Sequence, residues 1–548
     1  MSAAPAEIKK RRGKVATRAP APVSAPVNFE TRKVWRLSLW QWTAVVVLIA
    51  ASFLRLWDLS AKVLHHDEGV NGMFMTNLFR TGYYHYDPAN YHGPSLYYIG
   101  EITTTIGSLF LGKGGLNTFT IRLVTALFGI GVVWLLLCLR RQLGTFGALA
   151  AAALATVSPG FVFFSRYFIH EILFIFFTLG VIVALLRYPE TGRPRYFMLA
   201  VTSLAMMGTT KETWVITVAV WAIAIPCTML WLRMIKREDV EAAPAILPRA
   251  TAEIGEAQGW TKQQLYTNAA VLFLAIWVVL YSSLFTNFPK GVIDSVRTYG
   301  YWFETSGNAN VYSWGKYFEW LFGWQNGLSL HADGELPVML LGAFGIVVAL
   351  FQARNWFAVF TAFWSMGILA AYCLVPYKTP WLAISIVLPF IVMAGYGMEQ
   401  LYGRWRQRAI AGVLIAVAVI LAAVQAIDLS FNRYDDETEP YSYAHTRRDF
   451  LNLVHEIETI AAGNPAGKNI GITVMSTEHW PLPWYLRDYP NAGYWGKVVD
   501  TKEPIIVAHE DQKAEVNRLL GDKYRIISEH DLRPGNRLVL YLRKDLQP

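Results

Sequence analysis

Uninterrupted apolar runs, most of about 17–22 residues, recur along this chain, and runs of that length can cross a lipid bilayer as helices. They lie near 38–57, 118–139, 145–164, 169–187, 196–210, 214–233, 268–286, 336–352, 355–374, 382–400 and 409–428. The bulk composition agrees. Hydrophobic residues make up 54% of the 548-residue chain and charged residues only 16%, against roughly 25% charged in soluble domains. The 21 tryptophans and 27 tyrosines suit belts at a membrane interface. The expected fold class is therefore a polytopic α-helical membrane protein of about eleven spans.

The formal charge of +9 is not a nucleic-acid signature. Much of the excess sits in an Ala/Pro-rich tail over 1–36, where nine basic residues from Lys9 to Arg36 face only Glu7 and Glu30. That tail reads as disordered and cytoplasmic, and no small-residue cleavage site follows the first apolar run. Cys138, Cys227 and Cys373 all fall in apolar runs without CxxC spacing. Neither a disulfide nor a thiolate metal site is expected.

One apolar segment, "SLYYIGEITTTIGSLFLG" at 95–112, carries Glu101 and three threonines. If it does not cross, Arg140/Arg141, Arg187/Arg193/Arg195, Arg233/Lys236/Arg237, Arg354 and Arg404/Arg406/Arg408 all join the basic tail on the inner side, as the positive-inside rule requires. If it crosses, all of them face out. The segment therefore reads as a helix lying at the outer membrane surface or dipping into it. The outer side then receives the first loop 58–117, the loop 287–335, several short turns, and everything after about 430.

Composition changes at that point. Residues 431–548 lose long apolar runs, and "NIGITVMS", "EPIIVAHE", "KYRIISE" and "RLVLYLRK" read as short strands. "DQKAEVNRLL" has helical spacing. This is a small extracytoplasmic α/β domain, distinct from the transmembrane domain 37–430. It has no glycine-rich phosphate loop and no nucleophile motif.

Ionisable groups at a membrane edge are costly and mark functional sites. Four outer turns each supply some: His65, His66, Asp67 and Glu68 in "LHHDEG"; Arg166, His170 and Glu171 in "SRYFIHE"; Lys211 and Glu212 in "TTKET"; Tyr377, Lys378 and Trp381 in "PYKTPW". Neighbouring carboxylates suit a general base and an orienting group. Lysine and arginine suit a phosphate. Histidines can relay protons or hold a divalent metal. A carboxylate opposite phosphate-binding cations fits displacement at a sugar carbon with a lipid-phosphate leaving group. The structural alternatives are a solvated helix start for the acids, caps for His170, Glu171 and Glu212, and a snorkelling Lys378. The aromatic stretch "YYHYDPANYHGPSLYY" at 83–98 fits either an interfacial belt or sugar stacking.

"HHDEG" after the first span resembles the paired-acid signature in the first outer loop of GT-C glycosyltransferases. "TIRLVTALFGIGVVWLLLCLRRQLG" and the following "SPGFVFFSRYFIHEILF" are similar to the protein O-mannosyltransferase and aminoarabinose-transferase branch. "YKTPWLAISIVLPFIVMAGYG" resembles its late lysine-bearing helix. "TTKETW" and the "HHDEG" form resemble a prokaryotic subgroup associated with archaeal-type N-glycosylation. The resemblance covers about 38–430. It implies that Asp67, Glu68 and Glu171 are catalytic acids, that Lys378, with Lys211 and Arg166, meets the donor phosphate, and that His170, Glu212, Tyr377 and Trp381 contact substrate. It implies a polyprenyl-phosphate-sugar donor, and a lipid, glycan or protein acceptor outside the cytoplasm. His65 and His66 stand in front of the acids as candidate ligands, which leaves a divalent metal cation open.

A glycosyltransferase is thus the expected function. The alternatives are a lipid-linked-sugar flippase or a non-catalytic partner in glycan assembly. Transporters place charges near the midplane within repeated halves. Here no internal repeat is evident and the charges gather at one face.

Overall fold

The computed structural model describes residues 33–34, 37–90, 92–235, 260–305, 310–322, 334–352 and 355–546. Nearly all of the basic tail and most of the inner loop 234–267 lie outside the described residues.

Each of the eleven apolar runs is helical. The helices that matter below are α1 (Leu39–Leu56), α2 (His66–Thr81), α3 (Ser95–Leu111), α4 (Thr118–Cys138), α5 (Thr145–Val157), α6 (Pro159–Ser165), α7 (Glu171–Thr191), α8 (Pro194–Gly208), α9 (Trp214–Ile235), α10 (Lys262–Tyr281), α11 (Lys290–Thr305), α12 (Lys316–Phe322), α13 (Leu336–Gln352), α14 (Trp356–Leu374), α15 (Ala383–Tyr402) and α16 (Arg408–Ile427). Among the described residues eight helices are long and apolar enough to span a membrane, and α5 with α6, bent by 58° at their junction, makes a ninth only if the pair crosses as one span. The helices α8 and α13, at 15 and 17 residues, are shorter. This is a multi-pass membrane protein.

Burial sorts the spans into a centre and a rim. The α15 span is 94% buried, whereas α10 is 17% buried. Exposed Val413, Val417, Ile420 and Val424 of α16, like Val46, Ile49 and Phe53 of α1, recur at helical spacing on the outside. Such a face is stable only against lipid. α3 likewise exposes Ile102, Ile106, Leu109 and Phe110, as a helix lying along an apolar surface does.

The bend between α5 and α6 follows from Ser158–Pro159. Proline has no N–H to continue the helix. Ser158 starts the next helix as its N-cap and donates its hydroxyl to Glu335 (2.7 Å), whose carboxylate also accepts from Gly160 N (2.8 Å). The carbonyls freed at the break, of Ala155 and Thr156, accept from the fully buried Arg55 guanidinium at 2.9 and 3.1 Å. A cation inside the bundle is thereby matched to backbone groups that hydrocarbon cannot satisfy.

The C-terminal domain is a five-stranded mixed sheet. Its strands are β1 (Ile472–Val474), β2 (Ala492–Tyr494), β3 (Ile505–His509), β4 (Tyr524–Arg533) and β5 (Asn536–Arg543), in the order β2-β1-β3-β5-β4. β1 pairs in parallel with β2 and β3, and the rest is antiparallel. Two-residue alternation points Ile505 and Val507 toward α17 (Phe450–Gly463), while Ile506 and Ala508 meet Val516 and Leu520 of α18 (Lys513–Leu520). The four strand readings and α18 coincide with the sequence expectations. α17 and β2 were not among them.

This domain sits on α2. A Cβ at Gly69 would lie 2.6 Å from the Pro481 side chain, and one at Gly72 2.5 Å from the Trp484 ring. Leu64 N donates to the Tyr485 hydroxyl (3.1 Å), and Arg80 pairs with Asp488. The two glycines of "EGVNG" thus let the domain approach the helix backbone. Gly72→Ala is expected to overpack this contact and cost about 1–3 kcal/mol, read as a lowered Tm in detergent.

Candidate functional site

α2 begins at the loop 58–65, and the sequence "HHDE" builds its own cap. His65 is the N-cap residue. Its Nδ1 accepts from Asp67 N (3.1 Å), and its backbone N–H donates to Glu68 (3.1 Å). The Glu68 carboxylate then accepts both Nε and Nη2 of Arg122 at 2.7 Å, and Phe168 N at 2.8 Å. Arg122 turns its other N–H groups to the carbonyls of Leu59, Lys62 and Val63. Both side chains are fully buried. Burial alone would raise the Glu68 pKa, but the adjoining guanidinium overrides it and holds the carboxyl below its usual range.

This arrangement corrects the expected role of Glu68. It is a structural anchor for the start of α2, outside the cavity described next. Asp67, one residue earlier and about 100° around the helix, points the other way.

Asp67 lines a cavity of about 460 Å³, within the ordinary range of ligand sites. Its walls come from four turns between helices and the C-terminal domain. His65, His66, Asp67 and Asn71 stand on one side, Glu171, Lys211, Glu212 and Thr213 on another, and Tyr377, Thr379 and Trp381 on a third. His92, Trp302, Tyr372, Tyr443 and Arg533 complete it. α7 begins at the cavity with Glu171 and ends beside Arg187, so the basic turns lie at the far ends of the same helices.

The acids in the cavity differ in their partners. Glu171 forms an ion pair with Lys211, both nearly buried. Glu212 accepts from His92 Nδ1 at 2.9 Å. Against the cost of burial, His92 and Lys211 hold the Glu212 carboxyl down to about 2. The Glu171 and Glu212 carboxylates also outweigh burial at the Lys211 ammonium, which rises to about 12. Asp67 has no such partner. Its carboxylate oxygens accept no hydrogen bond among the described residues, and the His65 Nδ1 that lies 4.0 Å away is itself an acceptor, from Asp67 N, and carries no proton to offer. Its side chain is 40% exposed, but to a cavity walled by protein on several sides, so desolvation still acts. Burial first and the Glu171 charge next raise its pKa to about 6, against the opposing pull of His92, Lys211 and Arg533. A carboxyl that is unpaired, accessible and half-ionised near pH 6 has the properties of a general base.

Three further expected site residues are placed elsewhere. Arg166 does not reach the cavity. It donates to the carbonyls of Leu54, Arg55, Trp57 and Asp58 and lies over the Phe431 ring at 4.4 Å. It closes the C-terminal end of α1, whose last carbonyls have no helical partner. The Lys378 ammonium does the same for α14, donating to Cys373 O (3.0 Å) and Val375 O. Its neighbours Tyr377 and Thr379 line the cavity, and it does not. His170 lies one layer behind, with Nε2 at Gly93 O (3.1 Å) and its ring against His92 and Tyr97.

The expected metal ligands do not converge. Both nitrogens of His65 are spent, Nδ1 on Asp67 N and Nε2 on Tyr443 O (3.2 Å). His66 packs beside Trp480, and burial with the nearby Arg533 charge lowers its pKa to about 4. No group of three His, Cys, Asp or Glu side chains placed to hold a metal ion occurs among the described residues. As placed, His65 and His66 do not form a ligand set with the neighbouring acids.

Arg533 is the cavity residue that sequence reasoning missed most completely. It ends β4, and Nη2 donates to Trp480 O at 2.8 Å while Nη1 lies 3.7 Å from Glu478. Its buried Nε has no hydrogen-bond partner among the described residues. Only the Pro534–Gly535 turn marks the position in sequence. His92 was quoted in the aromatic stretch but not singled out.

Residues 91–246 match the family of dolichyl-phosphate-mannose-protein mannosyltransferases. None of the curated proteins matches the chain. Among solved structures, it is similar to ArnT from Cupriavidus metallidurans bound to undecaprenyl phosphate. The identity is 14%, the TM-score 0.59, and the likeness covers 93% of this chain and 99% of that one. The apo form of ArnT gives 13% identity and 0.58 over 92% and 97%. The oligosaccharyltransferase of Archaeoglobus fulgidus, in complex with Zn and sulfate, gives 12% and 0.51 over 91% and 74%. At these identities the likeness is one of fold.

Proposed function

Taking the GT-C fold as premise, we propose that this chain is an integral-membrane glycosyltransferase that moves a sugar from a polyprenyl-phosphate donor to an acceptor on the outer face of the membrane. The observation that carries the reading is one cavity in which the unpaired Asp67 carboxyl shares walls with the cations Lys211 and Arg533. The ArnT structure bound to undecaprenyl phosphate supports a donor of the same chemistry.

Asp67 removes the proton from the acceptor as its oxygen or nitrogen attacks the anomeric carbon. The bond from that carbon to the phosphate oxygen breaks, and the lipid phosphate leaves with the electron pair. Lys211 and Arg533 meet the charge that develops on it. The proton stays on Asp67 until water takes it. Glu171 holds Lys211 in place, and Glu212 holds His92. The lipid tail of the donor remains in the bilayer while its head enters the cavity. The N-terminus lies on the cytoplasmic side and the C-terminal domain on the other.

The test is single-turnover transfer in proteoliposomes, with radiolabelled polyprenyl-phosphate sugars and extracted envelope acceptors. Loss of a charge-assisted hydrogen bond costs about 1.5–3 kcal/mol, so Arg533→Ala is expected to raise the donor KM about 10- to 100-fold. Lys378→Met is expected to leave it within about threefold, because that ammonium serves backbone carbonyls. The opposite ranking would return the phosphate to Lys378. Scrambling of donor between leaflets without transfer would replace the enzyme by a flippase.

A further inference from the structure

Four rings run in unbroken succession from the cavity onto the C-terminal domain. His66 lines the cavity. Its ring centroid is 6.1 Å from that of Trp480, Trp480 is 5.8 Å from His479, and His479 is 5.1 Å from Tyr494. Interplanar angles of 50°, 32° and 38° turn the faces gradually. His66, Trp480 and His479 are half-buried and Tyr494 is exposed. The inner end is fastened to the cavity cation, since Trp480 O accepts from Arg533. His66 starts α2, His479 and Trp480 belong to "EHWP" just after β1, and Tyr494 ends β2, which pairs with β1.

Resting on the reading of a sugar-transfer cavity, we propose that this aromatic path holds a glycan acceptor, with its reacting end at Asp67 and successive sugars laid along His66, Trp480, His479 and Tyr494. Aromatic faces carry negative charge and attract the positive C–H faces of sugar rings, while N–H and O–H edges reach hydroxyls. His479 spends Nδ1 on Ser476 O (2.8 Å), which leaves Nε2 for a hydroxyl. The Glu478 carboxylate beside it is 46% exposed and can accept another. A peptide would use strand addition or apolar side-chain pockets, and the sheet edge here is a strand of only three residues. A lipid would need continuous aliphatic surface. The path instead alternates flat faces with polar edges and starts where the chemistry occurs.

Trp495 supplies an internal control. A Cβ at Gly493 would meet its Nε1 at 3.1 Å, so Trp495 shares the face of residue 493, opposite Tyr494. It is 58% exposed and off the path.

The experiment uses the full chain in nanodiscs, first on an array of diverse glycans and then in titrations with oligosaccharides of one to six sugars from the retained class. Affinity is expected to rise with length up to about four sugars. Tyr494→Ala and His479→Ala should each weaken tetrasaccharide binding about five- to tenfold and flatten the length dependence. Trp495→Ala should match the native protein. Binding without transfer by the native chain would sink the transferase reading and leave the path standing. No glycan retained, equal binding by Tyr494→Ala, equal loss in Trp495→Ala, or retention of peptides in place of glycans would each overturn the path.

Discussion

Asp67→Asn is expected to lower single-turnover transfer by about 10²–10⁴-fold, the usual contribution of a general base, with folded protein recovered in native yield. The substitution keeps the shape of the side chain and removes only the basic oxygen. The sign of the pH dependence follows from the shifted pKa. The carboxyl moves from its usual 3.8 to about 6, mainly through burial. The active base is the ionised form, so transfer by the native chain should fall as pH drops through about 6 and level off above it. Stability should run the other way. The folded state favours the protonated acid, so Asp67 costs stability that grows as pH rises from about 4 to about 6 and is constant above. Asp67→Asn should therefore leave Tm unchanged or raised at neutral pH. A native profile flat between pH 5 and 8, or native-level transfer by the variant, would remove Asp67 from the chemistry.

The sequence made the helices legible because a bilayer imposes a length and a polarity on each of them. All eleven runs are helical for that reason, and the charge-bearing turns between them are the turns that meet at the cavity. What the sequence could not convey was direction. Asp67 and Glu68 are adjacent acids of one type, and only the long-range pairing with Arg122 of α4 decides that the second is swallowed. Lys211 and Lys378 both sit in outer turns. One follows a helix end into the cavity and the other folds back on its own helix. Arg166 and Arg533 invert the expectation in the same way. The first stands inside a motif yet serves carbonyls. The second lies in a domain with no catalytic motif, and is carried to the site by the contact of that domain with α2. Pairings between residues 400 positions apart leave no local trace.

Glu68→Gln makes the contrast within "HHDEG" measurable, and its effect should fall on stability. Arg122 is fully buried and finds its only ion-pair partner among the described residues in Glu68, on two hydrogen bonds of 2.7 Å. Breaking a buried pair from one side leaves the other charge uncompensated and typically costs about 3–5 kcal/mol, a large share of the stability of most domains. The amide also loses one of the acceptors that serve Phe168 N and His65 N, so the start of α2 loosens where it meets α7 and the C-terminal domain. The expected result is a strongly lowered Tm and poor recovery from the membrane. Residual transfer, normalised to folded protein at low temperature, should remain far above that of Asp67→Asn. The paired change Glu68→Gln with Arg122→Met removes both charges and should recover part of the lost Tm, because an apolar pair costs less to bury than a single ion. A catalytic Glu68 would behave differently. Its variant would keep the native Tm and lose transfer, and the second change at Arg122 would restore nothing.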